Sequence, residues 1–177
     1  MTQRRLTHQR IVSCLPRLFG YAFSLTLDRD ASRDLVQECA LNALKAKRVP
    51  SDDAAFRAWL FTILRNRFLD QRRHAARAAA NLSDIPPEDD AGTWHQDDML
   101  INRITVRNGL EQLDPIHREV VALVDISGFS YAETARMLDI PPGTVMSRLS
   151  RGRRALLNTM REPNVHVLPP VVRRSSS

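Results

Sequence analysis

The chain has 177 residues, of which 43% are hydrophobic and 26% charged, so packed cores are feasible and wholesale disorder is not expected. A formal net charge of +6 favours polyanionic partners. The charge is uneven: residues 1–80 carry 15 basic and 7 acidic side chains, whereas residues 81–100 carry 6 acidic and no basic ones. This distribution predicts two small modules joined by an acidic connector.

The sequence lacks the motifs that are typical of disulfide-rich, metal-binding, membrane-spanning and enzymatic proteins. Cys14 and Cys39 form no CxxC motif and the histidines no HxxxH pair, so neither a disulfide framework nor a metal site is expected. No apolar run approaches the roughly 20 residues of a membrane span. No nucleophile–base pair and no glycine-rich phosphate loop is recognisable, so neither an enzyme nor a cofactor is expected. We expect a soluble, cytoplasmic protein.

Apolar residues recur at helical spacing nearly everywhere and alternating strand patterns are missing, which predicts an all-α fold. Within a first module, residues 1–80, the pattern outlines three helices, over Ile11–Ala22, Leu35–Ala43 and Phe56 to about His74. Pro16 is expected near a helix start or at a kink. The second helix is expected to open at Asp30 or Ser32, and the third at Asp52 or Asp53.

Residues 81–98 combine acidic residues with Pro-Pro and Gly and lack helical periodicity, which predicts a flexible linker. A second module, residues 99–160, then shows four helices, over Met99–Glu111, Pro115–Ile126, Ser130–Leu138 and Gly143–Leu157. The tail, residues 161–177, has no pattern that could bury a face and is expected to be disordered.

The last two helices predict a helix-turn-helix. Ser130 and Glu133 form a capping box, and the small Ala135 lets another helix approach closely. The short turn DIPPG then leads into a basic helix, and two helices so joined are typical of DNA-binding proteins. The alternative is that the arginines only keep a surface helix soluble. The cap, the turn and Ala135 favour a DNA-binding helix instead.

The last helix has two dissimilar sides when it is projected at about 100° per residue. One side is an apolar stripe of Val145, Leu149, Gly152 and Leu156. The other side carries hydroxyl and guanidinium groups, which hydrogen-bond base edges and clamp phosphates. Its residues are Ser147, Ser150, Arg151 and Arg154, flanked by Thr144, Arg148 and Arg153.

The first module has two signatures of its own. In SRDLVQECALNAL, the residues Asp34, Gln37 and Glu38 share one polar helix face. In FRAWLFTILRNRFLDQRRH, arginines alternate with aromatic residues, a pattern that suits stacking on unpaired bases beside a phosphate track. The aromatic stripe of Phe56, Trp59 and Leu60 is better explained as core.

Three arginines of the third helix differ in direction. Arg65 and Arg72 point away from the apolar stripe and are the better nucleic-acid candidates. Arg67 falls on the apolar side, where an ion pair, for instance with Asp70, and a DNA contact are both open.

These segments resemble sigma factors of the extracytoplasmic-function type, a bacterial family that has only sigma regions two and four. DLVQECALNAL is similar to the family's clamp-binding helix, and FRAWLFTILRNRFLDQRRH to its promoter-melting and −10-reading helix. The segment Leu113–Leu157 is similar to region four, which reads the −35 element. The resemblance covers Leu15–Leu157 and implies an alternative sigma factor that binds core RNA polymerase and directs promoter-specific initiation.

The resemblance also implies a role for particular residues. Asp34, Gln37 and Glu38 would dock on the β′ clamp of core polymerase, and the second module would contact the β flap. The loop Lys45–Ala54 would capture a flipped −10 base. The −10 and melting surface would comprise Lys45, Lys47, Arg48, Trp59, Arg65, Asn66, Arg72 and Arg73.

For the −35 element, the resemblance places bases against Met146, Ser147, Ser150 and Arg151, and phosphates against Thr144, Arg148, Arg153 and Arg154. Met146 departs from the family, many members of which carry Lys or Arg there, and its thioether offers apolar contact such as a thymine methyl. The acidic linker would lie in the polymerase's positively charged nucleic-acid channels, and an anti-sigma factor would hold the protein inactive.

Two other classes remain open at this stage. A stand-alone helix-turn-helix regulator would normally carry a phospho-acceptor or ligand domain, which the basic helical first module does not resemble. A sigma-like decoy that binds only an anti-sigma factor would have little use for arginines on the outer face of the last helix.

Overall fold

The computed structural model describes residues 3–81 and 107–161, and within those ranges it contains helices and turns but no strand. The predicted all-α fold is confirmed. The helices are α1 (Gln3–Thr26), α2 (Arg29–Lys45), α3 (Asp53–Asn81), α4 (Pro115–Val121), α5 (Tyr131–Leu138) and α6 (Pro142–Arg161). Residues 107–111 form a short helical segment ahead of α4. The predicted linker and tail, and the start of the helix predicted at Met99, lie outside the described residues.

The helix starts of the first module agree only partly with the predictions. Asp52 caps α3, since its Oδ2 accepts a hydrogen bond from the Ala55 amide at 2.7 Å. The prediction for α2 was wrong: its cap is Asp28, which follows the left-handed residue Leu27 at the end of α1. Pro16 lies in the interior of α1, which begins at Gln3, so it marks no helix start.

Helix α4 continues into one turn of π-helix, Ala122–Ile126, which ends where the Ser127 amide donates to the Ala122 carbonyl at 2.9 Å. The sequence predicts a single helix over Pro115–Ile126. The structure confirms this extent, but the last five residues form π-helix instead of α-helix. A π turn holds one more residue than an α turn and so shifts the side chains that follow it. Ala122 and Leu123, both fully buried, lie in this turn.

The two modules pack against each other and share an apolar core. Leu123 and Phe129 belong to the same buried cluster as the core residues of α1–α3. The rings of Phe61 and Phe129 meet edge to face with centroids 4.9 Å apart. At Gly20 of α1, an added Cβ would lie 2.9 Å from Cγ2 of Ile126, so the Ile126 side chain packs directly on the α1 backbone. We call the contact between the two modules, formed by Gly20, Phe61, Leu123, Ile126 and Phe129, the seam.

The helix-turn-helix has the geometry that its sequence predicts. The Ser130 hydroxyl accepts from the Glu133 amide, and the Glu133 carboxylate accepts from the Ser130 amide at 2.8 Å, which completes the capping box. These hydrogen bonds lower the pKa of Glu133. Asp139 ends α5 in the left-handed conformation, and Pro142 opens α6, where its missing amide proton costs nothing.

Helix α6 approaches α4 most closely at Gly152. A Cβ there would lie 2.7 Å from Cγ2 of Val121 and 3.4 Å from the carbonyl oxygen of His117. At Gly143, in the first turn of the same helix, an added Cβ would meet no atom within 4 Å. Substitutions at the two glycines therefore distinguish the effect of close packing from the effect of helix propensity.

None of the described helices is both long and apolar enough to cross a bilayer.

We expect Gly152→Ala to lower the free energy of unfolding by about 1–2 kcal/mol, because overpacking costs outweigh the roughly 1 kcal/mol gain in helix propensity. Gly143→Ala is the matched control and should be neutral or slightly stabilising. Urea unfolding of the full chain, followed by circular dichroism, measures both. Equal stability of the two variants would contradict the close approach of α6 to α4.

Candidate nucleic-acid and polymerase interfaces

The two sides of α6 differ in burial as the projection predicts. Val145 and Leu149 are 0% and 2% exposed, Gly152 is buried, and Leu156 is half-buried. The residues expected to face −35 bases are all exposed, and they are Met146, Ser147, Ser150 and Arg151. Helix α6 can therefore pack on α4 and α5 while it presents hydroxyl, guanidinium and thioether groups outward.

The expected phosphate contacts differ from one another. Arg154 is exposed, whereas Thr144 and Arg148 are half-buried near the start of the helix. Arg153 is engaged by Asp125 of the π turn: its Nη2 donates to Oδ1 at 2.6 Å and its Nε to Oδ2 at 3.0 Å. This bidentate hydrogen bond raises the pKa of Arg153, so its guanidinium stays charged and pairs with the Asp125 carboxylate. Arg153 braces the π turn against α6.

An apolar cleft lies beside the outer face of α6. Tyr131, Met146, Leu149 and Leu157 line its apolar part, and Ser150, Arg153 and Arg154 line its polar part. Met146 is 56% exposed and is one of several large apolar side chains at the surface. A thioether at such a place can contact an apolar group such as a thymine methyl in the major groove.

The polar face of α2 is only partly free. Asp34 and Gln37 are exposed. The Glu38 carboxylate instead accepts from Nη2 of Arg67 at 2.6 Å and from Nε2 of Gln71 at 3.3 Å, both on α3. Leu41, one turn beyond Gln37, is 54% exposed and adds an apolar group that the sequence reading missed. Leu41 follows Gln37 by four residues, a spacing that places both side chains on one helix face and was visible in the sequence.

Of the two alternatives left open for Arg67, the structure shows an ion pair, and its partner is Glu38 instead of Asp70, which the sequence suggested as an example. Asp70 instead accepts from Arg73 at 2.9 Å within α3. The reason is geometric: α2 and α3 pack side by side, so a side chain of α3 that faces α2 can reach an acceptor on that helix. Both ion pairs remain near the surface and contribute little to stability on their own.

The loop between α2 and α3 is held by a residue that the sequence reading also missed. Arg10 of α1 donates to the carbonyl oxygens of Pro50 at 2.8 Å and Asp52 at 2.9 Å. Its guanidinium lies 4.0 Å from the centroid of the Phe56 ring. Nothing local in α1 signals this contact, which spans about forty residues. The cationic side chains around this loop, Lys45, Lys47 and Arg48, are exposed.

The residues expected to contact −10 DNA from α3 are not equivalent. Asn66, Arg72 and Arg73 are exposed along the helix. Trp59 is half-buried and packs on Phe56, with ring centroids 5.6 Å apart. Phe56 and Leu60 are buried, as expected of the core stripe. Arg65 faces the second module: its Nε donates to Oε1 of Glu119 on α4 at 2.7 Å.

A buried tyrosine completes the contact around Arg65. The hydroxyl of Tyr21, which is 0% exposed, donates to Oε1 of Glu119 at 3.1 Å. Burial raises the pKa of Tyr21 well above its usual value and the Glu119 carboxylate adds to the rise, so the phenol stays protonated. About two turns earlier on α3, Arg57 lies 3.7 Å from Glu133 and 4.6 Å from the centroid of the Phe129 ring.

Comparison with known families matches both modules. Residues 11–78 match the family described as Sigma-70 region 2, and residues 103–156 match Sigma-70, region 4. The ECF RNA polymerase sigma factor SigL of Mycobacterium tuberculosis is 37% identical over 150 residues, which covers 84% of this chain and 85% of that protein. EcfG of Rhodopseudomonas palustris is 33% identical over 150 residues, covering 82% and 80%.

Solved structures give the same relationship. The sigma factor RpoE, in complex with the anti-sigma factor NepR from Bartonella quintana, superposes with a TM-score of 0.66 at 29% identity and covers 88% of this chain and 97% of its own. CnrH, in complex with the cytosolic domain of CnrY, gives 0.64 at 27% identity and covers 89% of each chain. With both regions matched in order and relatives of this identity along most of its length, the chain belongs to the extracytoplasmic-function family of RNA polymerase sigma factors.

Proposed function

We propose that this alternative sigma factor acts in the cytoplasm, docking on core polymerase through α2 and reading promoter DNA through α6 and the loop before α3. Sigma factors initiate transcription without catalysing a reaction of their own. The observation that carries the proposal is the outer face of α6, where Ser147, Ser150 and Arg151 are exposed above a buried apolar stripe. Reconstitution with core polymerase tests it: promoter-specific transcripts are expected, and their absence would contradict it.

The docking surface on core polymerase is proposed to be the part of α2 that carries Asp34, Gln37 and Leu41. An exposed leucine beside polar side chains is typical of protein–protein contacts, which combine apolar and polar groups. The ion pair of Glu38 with Arg67 ties this face to α3. In this proposal Glu38 fixes the angle between the two helices and makes a smaller direct contact than Asp34. The β flap is the proposed contact of the second module.

The two promoter elements are proposed to be read by different modules. For the −35 element, Ser147, Ser150 and Arg151 face base edges, Met146 contacts an apolar group, and the exposed Arg154 with the half-buried Arg148 holds phosphates.

For the −10 element, the loop held by Arg10 presents Lys47 and Arg48, and α3 contributes Asn66, Arg72 and Arg73. Arg153 is proposed to position α6 through Asp125, because its Nε and Nη2 both donate to that carboxylate.

An anti-sigma factor is proposed as the regulatory partner. Two structures similar to this chain, those of RpoE and CnrH, are complexes with the anti-sigma factor NepR and with the cytosolic domain of CnrY. This chain presents exposed apolar side chains on which such a partner could pack, among them Leu41, Met146 and Leu157. The partner would then compete with core polymerase and DNA for the same surfaces.

We expect Gln37→Lys to weaken binding to core polymerase about tenfold, because it puts an unpaired cation at the centre of the proposed surface, a cost of about 1.4 kcal/mol. Gln9→Lys makes the same change at an exposed site on α1 and should leave the affinity unchanged. Fluorescence anisotropy with labelled protein and core polymerase measures both. Equal affinities would remove α2 from the interface.

Substitution of a base-contacting arginine and substitution of a phosphate-binding arginine should change DNA affinity in different ways. Arg151→Ala is expected to cost about 1–3 kcal/mol on the preferred −35 duplex and much less on a scrambled one. Arg154→Ala should weaken both duplexes alike and reduce the salt dependence by about one unit of slope. Binding is measured at several salt concentrations with core polymerase present. If Arg151→Ala lowers both affinities equally, Arg151 is only a phosphate contact.

A further inference from the structure

The loop between α2 and α3, residues 46–52, has little regular structure of its own. No backbone hydrogen bond joins two residues of this loop, all of which the structure describes. One apolar side chain, that of Val49, packs against the core of the first module. A loop with so few internal contacts would sample several conformations unless another part of the chain held it.

The guanidinium of Arg10 on α1 holds this loop. Its Nη1 donates to the carbonyl oxygen of Pro50 at 2.8 Å, and its Nη2 donates to the carbonyl oxygen of Asp52 at 2.9 Å. The same Nη2 lies 2.9 Å from Oδ1 of Asp53, the first residue of α3. The Asp53 side chain is 92% exposed, so solvent screens this ion pair, and the two carbonyl contacts carry the attachment.

An aromatic ring supports the same guanidinium from the core side. Cζ of Arg10 lies 4.0 Å from the centroid of the Phe56 ring, which is buried. The Arg10 side chain is 22% exposed, so this cation–π contact is partly desolvated. Phe56 in turn packs on Trp59, which the family resemblance assigns to the −10 surface. Arg10 therefore contacts both the loop and the aromatic pair beside it.

The two carbonyl contacts also orient the amides that follow them. The described chain has no cis peptide bond, and in a trans peptide the carbonyl oxygen and the next amide hydrogen point in opposite directions. The amides of Ser51 and Asp53 therefore point away from Arg10. Neither of them donates to a backbone carbonyl of the described residues. Arg10 thus sets the direction of two backbone donors as well as two acceptors.

We propose that Arg10 is a positioning residue for −10 recognition, which holds residues 46–52 in the conformation that captures a flipped base. This inference rests on the proposed function of the loop in −10 binding. Arg10 acts in it through the loop and not through a contact of its own with DNA. If the loop were not anchored, only a fraction of molecules would hold the capturing conformation, and the affinity for the base would fall by that fraction.

The anchor requires an arginine and not only a cation. A guanidinium donates in two directions within one plane while its face lies on an aromatic ring, whereas an ammonium is a compact point charge. Arg10→Lys keeps the charge and has a similar helix propensity, so the fold and the general attraction to DNA should be retained. The substitution should therefore loosen the loop and change little else.

Removal of single bases from the DNA tests the proposal. The full chain is bound to core polymerase, and its affinity is measured for single-stranded −10 DNA in which each position in turn is abasic. For the wild type, one abasic position should weaken binding about tenfold, the scale of a lost base-stacking contact. For Arg10→Lys this penalty should fall to about threefold, because only the strand with the base loses affinity. The salt dependence should stay the same.

Arg17→Lys is the matched control, because Arg17 is exposed on the same helix, and it should keep the tenfold penalty. An Arg10→Lys protein with the wild-type penalty would overturn the role of Arg10. Equal weakening for strands with and without the base would overturn it too, since that result indicates a general loss of folding or of charge. If the wild type loses no affinity at any abasic position, base capture by the loop fails, and the role of Arg10 fails with it.

A second substitution extends the series. Arg10→Gln removes the charge and leaves a side chain too short to reach both carbonyl oxygens, so the penalty at the captured position should nearly vanish. Binding of the −35 duplex should be unchanged, and circular dichroism verifies that the protein is folded at the assay temperature. A larger penalty for Arg10→Gln than for Arg10→Lys would contradict the anchoring role, because the lysine retains more of the original contact.

Discussion

The seam between the two modules is the contact on which the rest of the described structure depends. The second module is small, and a domain of this size buries only about 60% of the surface of its unfolded chain and is marginal alone. Burial of Leu123 and Phe129 against α1 and α3 adds apolar contact that neither module has by itself. The close approach at Gly20 shows how little space this packing leaves. The position of α3 relative to α4 follows from it.

Acidic side chains divide the arginines into two groups. Glu38, Asp125 and Glu119 engage Arg67, Arg153 and Arg65 at 2.6, 2.6 and 2.7 Å, and each pair joins two different helices. The arginines that form no ion pair within residues 3–81 and 107–161 include Arg72, Arg148, Arg151 and Arg154. The first group fixes helix positions in the folded chain. The second group can contact a polyanion without the loss of an internal ion pair.

The sequence was informative where the determinants are local. Helical periodicity, the capping box at Ser130 and the apolar stripe of α6 involve residues within a few turns of one another, and these predictions are confirmed. The contacts that depend on chain packing were not predictable: Arg65 and Glu119 are 54 residues apart, and Arg10 and Pro50 are 40 apart. The cap of α2 was missed because the left-handed residue Leu27 ends α1 and makes Asp28 the next available acceptor.

Phe129 also bears on the turnover of the protein. Any local unfolding that parts the modules exposes Phe129, Phe61 and Leu123 together, because they share one buried cluster. Exposed aromatic surface of this kind is bound by chaperones and proteases, and degradation of an unfolded chain cannot be reversed. The rate at which this contact opens would therefore contribute to the lifetime of the protein in the cell.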